Sequence, residues 1–245
     1  MSHANRAILF DLDDTLFDHH RAMSAAIGAI HAAHGEGLPF EPFSLLHAEL
    51  LEQIHLDTLA GRLSLEAARV ERFRRLFAHF ARPLGDSAAA EMGADYRRHL
   101  QANRYPIDGA AELLQALRAA GVAVAVVSNN LEQEQRDKLA HLGLDRLIDL
   151  LVTSERVGCA KPAPAIFQTA LRELDVPAQA AVMVGDNWQA DVAGAVTCGL
   201  KAAWLNRFGR RCPEPTLAYL PLDSLTPTDR LARRLISHGC ANQLC

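Results

Sequence analysis

The stretch Ala7-Ile8-Leu9-Phe10-Asp11-Leu12-Asp13-Asp14-Thr15 sets four apolar residues against an abrupt run of acids. The apolar part reads as a short, fully buried strand with polar residues at its C-terminal tip. Three further apolar runs end in the same way. Val122-Ala123-Val124-Ala125-Val126-Val127 ends in Ser128-Asn129-Asn130, Leu150-Leu151-Val152 precedes a loop holding Lys161-Pro162, and Ala181-Val182-Met183-Val184 ends in Gly185-Asp186. Helical patterns separate them: Leu113, Leu114 and Leu117 closed by Gly121, a second reaching Leu142-Gly143, a third from Pro164 to Leu174, and a fourth from Ala190 to Val196 before Gly199. Lys201 to Leu205 reads as one more strand. Strand alternating with helix predicts an α/β domain, a Rossmann-like doubly wound parallel sheet with right-handed crossovers. In such a sheet ligands bind beyond the carboxyl ends of the strands. Asp11, Ser128, Lys161 and Asp186 are therefore expected to converge, although about 175 residues separate the first from the last.

Between the first strand and the rest, the period changes. Met23, Ile27 and Ile30, then Leu46, Leu50 and Ile54, then Val70, Phe73, Leu76, Phe77 and Phe80 recur at helical spacing. Breaks fall at Gly35-Glu36-Gly37-Leu38-Pro39 and Arg82-Pro83-Leu84-Gly85. The predicted organisation is a Rossmann-like core from residues 1–17 and 105–230 and an all-helical insertion at 18–104. The pattern weakens after Pro213, and the tail at 231–245 is a candidate for disorder. Within the insertion, Phe40, Phe43, Phe73, Phe77, Phe80 and Tyr96 read as core. His31, His34, His47, His55 and His79 read as packing or surface residues rather than metal ligands.

The 245 residues carry a net charge of -4, which argues against a nucleic-acid polymer as partner. The basic runs Arg72-Phe73-Arg74-Arg75 and Arg230 to Arg234 read as solvated helix faces. The five cysteines are scattered, form no CxxC and match no zinc pattern. They suggest reduced thiols in a cytoplasm. The start, Met1 to Arg6, lacks the apolar stretch of a signal peptide. No apolar run nears the roughly 20 residues that span a bilayer. A soluble cytoplasmic protein is expected, either monomer or homodimer.

Asp11, Asp13 and Thr15 are spaced by two, which in extended chain puts their side chains on one side. Carboxylates so close repel, and only a cation or a proton relieves the repulsion. Magnesium, which prefers one or two carboxylates with waters and a phosphate, is the natural choice. Asp186 supplies a further ligand.

These residues resemble a family. Asp11-Leu12-Asp13-Asp14-Thr15-Leu16 resembles the first motif of the haloacid dehalogenase superfamily, and Ser128 the second. Lys161, opening Lys161-Pro162-Ala163-Pro164, resembles the third, and Gly185-Asp186-Asn187-Trp188-Gln189-Ala190-Asp191 the fourth. The resemblance runs in the family's order from residue 6 to about 225. It implies that Asp11 is the nucleophile and Asp13 the general acid and base. It implies that Thr15, Ser128, Asn129 and Lys161 contact the phosphoryl group. It implies that magnesium is held by Asp11, Asp186 and the backbone carbonyl of Asp13, with Asp191 behind them or acting through water. Asn129 and Asn187 have an ordinary turn role as their alternative. An Asp at position 13 argues for phosphoryl transfer over dehalogenation. The insertion resembles the family's small helical cap, which implies a small phosphorylated metabolite as substrate.

The stretch from Asp149 to Pro162, with Ala203-Trp204-Leu205-Asn206, resembles the branch containing pyrimidine 5′-nucleotidases. A nucleoside 5′-monophosphate is the first expectation. Sugar-phosphate and acylneuraminate-phosphate phosphatases are the alternative, followed by a 2-haloacid dehalogenase and then a non-enzymatic binding protein.

Overall fold

A computed structural model describes residues 5–240. The chain divides into two compact units, one made of the residues up to Asp18 and from Tyr105 onward, the other of His19–Arg104.

In the first unit, β1 (Ala7–Phe10) is followed after the insertion by α5 (Ala110–Ala119), β2 (Ala123–Ser128), α6 (Glu132–His141), β3 (Leu150–Thr153), α7 (Ser154–Val157), α8 (Pro164–Leu174), β4 (Ala181–Gly185), α9 (Gly194–Thr197), β5 (Lys201–Leu205), β6 (Leu220–Leu222) and α10 (Thr228–Cys240). The six strands form one parallel sheet in the order β3-β2-β1-β4-β5-β6. The central strand pairs with two partners. Ala7 opposes both Ala123 and Ala181, and Phe10 opposes both Val126 and Val184. Every residue of β1, β2 and β4 is buried, as expected of strands covered on both faces. On one face Ile166, Phe167, Ala170 and Leu171 of α8 join Leu9, Ala125 and Met183 in a single core. Leu113, Leu114 and Leu117 of α5 and Leu231 and Leu235 of α10 are also buried, and both helices lie against the sheet. Each such side chain contributes roughly 1.5–3 kcal/mol. The order reverses between β2 and β4 around β1, so the tips of these three strands form the switch point where such sheets bind ligands.

The second unit is a set of four helices, α1 (His19–His34), α2 (Phe40–Leu59), α3 (Leu65–His79) and α4 (Asp86–Ala102). Its own core gathers Ala26, Ile27 and Ile30, Phe43 and Leu50, Phe73, Leu76 and Phe77, and Met92 and Tyr96. The break between α2 and α3 had no Pro or long Gly cluster to announce it. Ser64 makes it, by accepting the Ala67 N–H and capping α3.

Several expectations need correcting. Arg72 is not on a solvated face: it is 5% exposed, with its guanidinium carbon 4.9 Å from the centre of the Tyr96 ring. Phe40, read as core, is exposed. The stretch from residue 231 is not a disordered tail as far as Cys240. It is the body of α10, because Leu231, Ala232 and Leu235 make a buried stripe among its arginines. Residues 241–245 lie outside the described residues. Before α10, Leu220–Leu222 adds an edge strand the pattern did not show. Among the described residues no helix is long and apolar enough to cross a membrane.

Candidate active site

Asp11 extends β1 by one more bond, its N–H donating to the Val184 carbonyl at 2.9 Å. The chain then turns. The Asp14 N–H donates to Phe17, those of Leu16 and Phe17 donate to Leu12, and Asp14 takes a left-handed φ of 61°. The two-residue alternation therefore stops at Asp11. Asp13 and Thr15 do not share a side with Asp11 by strand geometry. Thr15 is fully buried, and its hydroxyl has no hydrogen-bond partner among the described residues.

Lys161 is brought to Asp11 from the loop after β3. Its ammonium lies 2.7 Å from Oδ1 of Asp11, 2.7 Å from Oδ1 of Asp191 and 2.6 Å from the Val127 carbonyl. Asn129 holds the backbone of this loop from the tip of β2. It donates to the Lys161 carbonyl at 2.8 Å and accepts the Lys161 N–H at 2.6 Å. Both ends of the Asn129 amide are thus engaged with Lys161. Asn187 caps the turn after β4 by accepting the Ala190 N–H, and donates its own N–H to Oδ2 of Asp191. Trp188–Ala193 winds as a π-helix, the wide turn often found at functional sites. Asp186 follows β4 directly. Its carbonyl accepts from the Trp204 indole at 2.9 Å, and Arg210 stands 3.5 Å from its carboxylate.

The charges do not balance. Oxygens of Asp11, Asp186 and Asp191 lie within 4.8 Å of one another. Burial pushes the Asp11 carboxyl well above the ordinary carboxylate range; Lys161 opposes this, while Asp191, Asp186 and Asp13 add to it. Burial likewise raises Asp186 to about 7, with Asp191 and Asp14 adding to the rise. Burial disfavours the Lys161 ammonium, but Asp11 and Asp191 outweigh that and raise its pKa. The buried Lys161 ammonium and the exposed Arg210 guanidinium beside Asp186 do not offset three clustered carboxylates, the condition a hard divalent cation satisfies with oxygen ligands. The donor set fits magnesium.

The Asp13 carboxylate is held from α6 and from the end of β2. Lys138 lies 2.5 Å from its Oδ1, while Gln135 and Asn130 donate to its Oδ2 at 3.0 and 3.3 Å. Ser128, 2% exposed at the tip of β2, lies 2.5 Å from the same Gln135 amide nitrogen. Sequence reasoning missed Gln135, Lys138 and Asn130. Gln135 and Lys138 lie one helical turn apart on α6, but charged residues on every side of that helix hide the inward face.

The sequence pattern of the haloacid dehalogenase-like hydrolase family matches residues 5–199. The ribulose-1,5-bisphosphate 5-phosphatase of Halopiger xanaduensis is 35% identical over 80% of this chain and 82% of its own. The pyrimidine 5′-nucleotidase YjjG of Escherichia coli is 36% identical over 51% of this chain and 56% of its own. Among solved structures, the hydrolase YfnB of Bacillus subtilis superposes with a TM-score of 0.74 at 23% identity, covering 94% of this chain and 98% of its own. The chain belongs to the haloacid dehalogenase-like hydrolase family, among its phosphoric monoester hydrolases.

Proposed function

We propose that the chain hydrolyses a small phosphomonoester through a phosphoryl group carried on Asp11, with a nucleoside 5′-monophosphate as the substrate class. The observation that carries the chemistry is the position of the Lys161 ammonium, 2.7 Å from both Asp11 and Asp191. It holds the Asp11 carboxylate in place at the strand tip and supplies positive charge where phosphoryl oxygens arrive.

Asp11 attacks phosphorus, and the bond to the leaving oxygen breaks with its electron pair. Asp13 gives that oxygen a proton. It then takes a proton from the water that attacks the phosphoryl-Asp11, releasing phosphate and restoring the Asp11 carboxylate. Ser128 donates to a phosphoryl oxygen. Asp11, Asp186 and the Asp13 carbonyl would hold magnesium, with Asp191 supporting them. When bound, the ion supplies the positive charge that lets an anionic phosphate approach acidic groups.

The nucleotide reading is supported by the likeness of this chain to a pyrimidine 5′-nucleotidase. A sugar phosphate is the second reading, favoured by the longer match to a sugar-bisphosphate phosphatase. A phosphate-release screen over both classes separates them: the higher kcat/KM should fall on the nucleoside monophosphates. Asp11→Asn should abolish turnover in a folded protein, and retained turnover would refute the mechanism.

A further inference from the structure

Lys138 and Gln135 are 4% and 0% exposed, and both reach the same carboxylate. The Lys138 ammonium also sits 5.1 Å from the centre of the fully buried Phe17 ring. Burying an ammonium and an amide is a poor way to stabilise a helix. Apolar side chains in place of a buried ion pair are often neutral or stabilising. The pair is better explained by what it holds. Each Asp13 oxygen has its own donor, Lys138 on Oδ1 and Gln135 with Asn130 on Oδ2, which fixes the plane of the carboxyl group. The Gln135 nitrogen also occupies the Ser128 oxygen, which leaves the Ser128 hydroxyl hydrogen free to point away from α6.

We propose that Gln135 and Lys138 are positioning residues, a clamp on α6 that aims Asp13 for proton transfer and Ser128 for phosphoryl binding. The inference rests on the reading of Asp13 as the group that protonates the leaving oxygen. As the P–O bond breaks, its electron pair stays on the leaving oxygen, which takes the Asp13 proton while Asp11 bonds to phosphorus. A misaimed Asp13 therefore matters most when the leaving oxygen is strongly basic, and little when it departs readily as an anion.

The test compares kcat/KM, which covers the steps up to the phosphoryl-enzyme, on two substrates. One is the primary-alcohol phosphate ranked highest in the phosphate-release screen, the other 2,4-dinitrophenyl phosphate. Lys138→Met should lose about 100-fold on the alkyl ester and less than about threefold on the dinitrophenyl ester, the range expected when general-acid catalysis is disabled. Lys138→Arg, which keeps a cation beside Asp13, should regain much of the alkyl activity. Gln135→Leu should lower both substrates, because it also frees Ser128. Circular dichroism and Tm establish that each variant is folded. Should Lys138→Met not fold, Lys138→Leu carries the same comparison. Equal losses on both esters, or no loss on the alkyl ester, would overturn the clamp. Asp13→Asn separates the two levels of the argument. If it shows the leaving-group dependence and the Lys138 variants do not, only the clamp fails. If Asp13→Asn lacks it, the acid role of Asp13 itself fails.

Discussion

Gly185 and Asp191 approach so closely that a β-carbon on Gly185 would overlap Oδ2, Cγ and Cβ of Asp191. The missing side chain at the end of β4 lets the Asp191 carboxylate sit under the strand tip. There it takes the Asn187 N–H on one oxygen and faces Lys161 with the other. Gly185→Ala should therefore displace the anchor of Lys161. We expect a stability loss of about 1–3 kcal/mol, as for other overpacked sites, read from chemical denaturation. We also expect a drop in kcat well beyond tenfold, the order that removal of one transition-state donor costs.

Lys161→Met tests the ammonium that Asp11 and Asp191 share. Removing one partner of a buried ion pair usually costs about 3–5 kcal/mol, because the remaining charge is left uncompensated. Here two carboxylates lose their cation at once. Lys161→Met should be the least stable single variant of the site, whereas Asp11→Asn, which removes a charge whose pKa burial already raises, should melt no lower than the parent. Thermal scans of the two proteins side by side check the order.

Titration with magnesium should raise Tm in the absence of any substrate. A ligand that binds only the folded state adds about 2.7 kcal/mol at 100 times its Kd. Asp186→Asn should weaken this shift strongly, since Asp186 is one of three carboxylates whose oxygens cluster within 4.8 Å. A shift of equal size in Asp186→Asn would place the ion elsewhere.

His47 makes the helical unit sensitive to acid. It is fully buried, 5.0 Å from the Tyr96 ring centre and 5.9 Å from that of Phe73, and neither ring nitrogen has a hydrogen-bond partner among the described residues. Burial, then the Arg72 guanidinium, then His19 hold its pKa well below the usual 6.5. The folded state thus keeps His47 neutral, while the unfolded chain gains a proton below about pH 6.5. Stability from this group is complete above that pH and falls as the pH drops, by at most about 1.4 kcal/mol per unit. Urea midpoints between pH 8 and pH 5 should decline for the parent and decline less for His47→Leu. Parallel curves would show that other groups carry the acid sensitivity.

The sheet was legible because its central strands are buried on both faces and read as uninterrupted apolar runs. Asp11, Lys161 and Asp186 were legible because strand ends in a parallel sheet converge whatever their distance in sequence, and Asp191 only through its place in the motif that Gly185-Asp186 opens. What escaped was orientation. The turn after Asp11, with Asp14 left-handed, sends the Asp13 side chain toward α6, and a spacing of two cannot encode that. Gln135 and Lys138 sit in Glu132-Gln133-Glu134-Gln135-Arg136-Asp137-Lys138, where a buried polar pair looks like any solvated helix. Arg72 and the arginines of α10 mislead in the same way, since charged neighbours mask which face turns inward.

The double pairing of β1 has a consequence for how the protein comes off the ribosome. Its first strand must wait for β2, more than a hundred residues later, and again for β4, whose last residue is Gly185. Contacts so distant in sequence form slowly, while the four inserted helices can settle among themselves within their own unit. The nascent chain therefore leaves the Asp11 N–H without its acceptor until Val184, on the far neighbour of β1, has been made, and the strand tips meet only then.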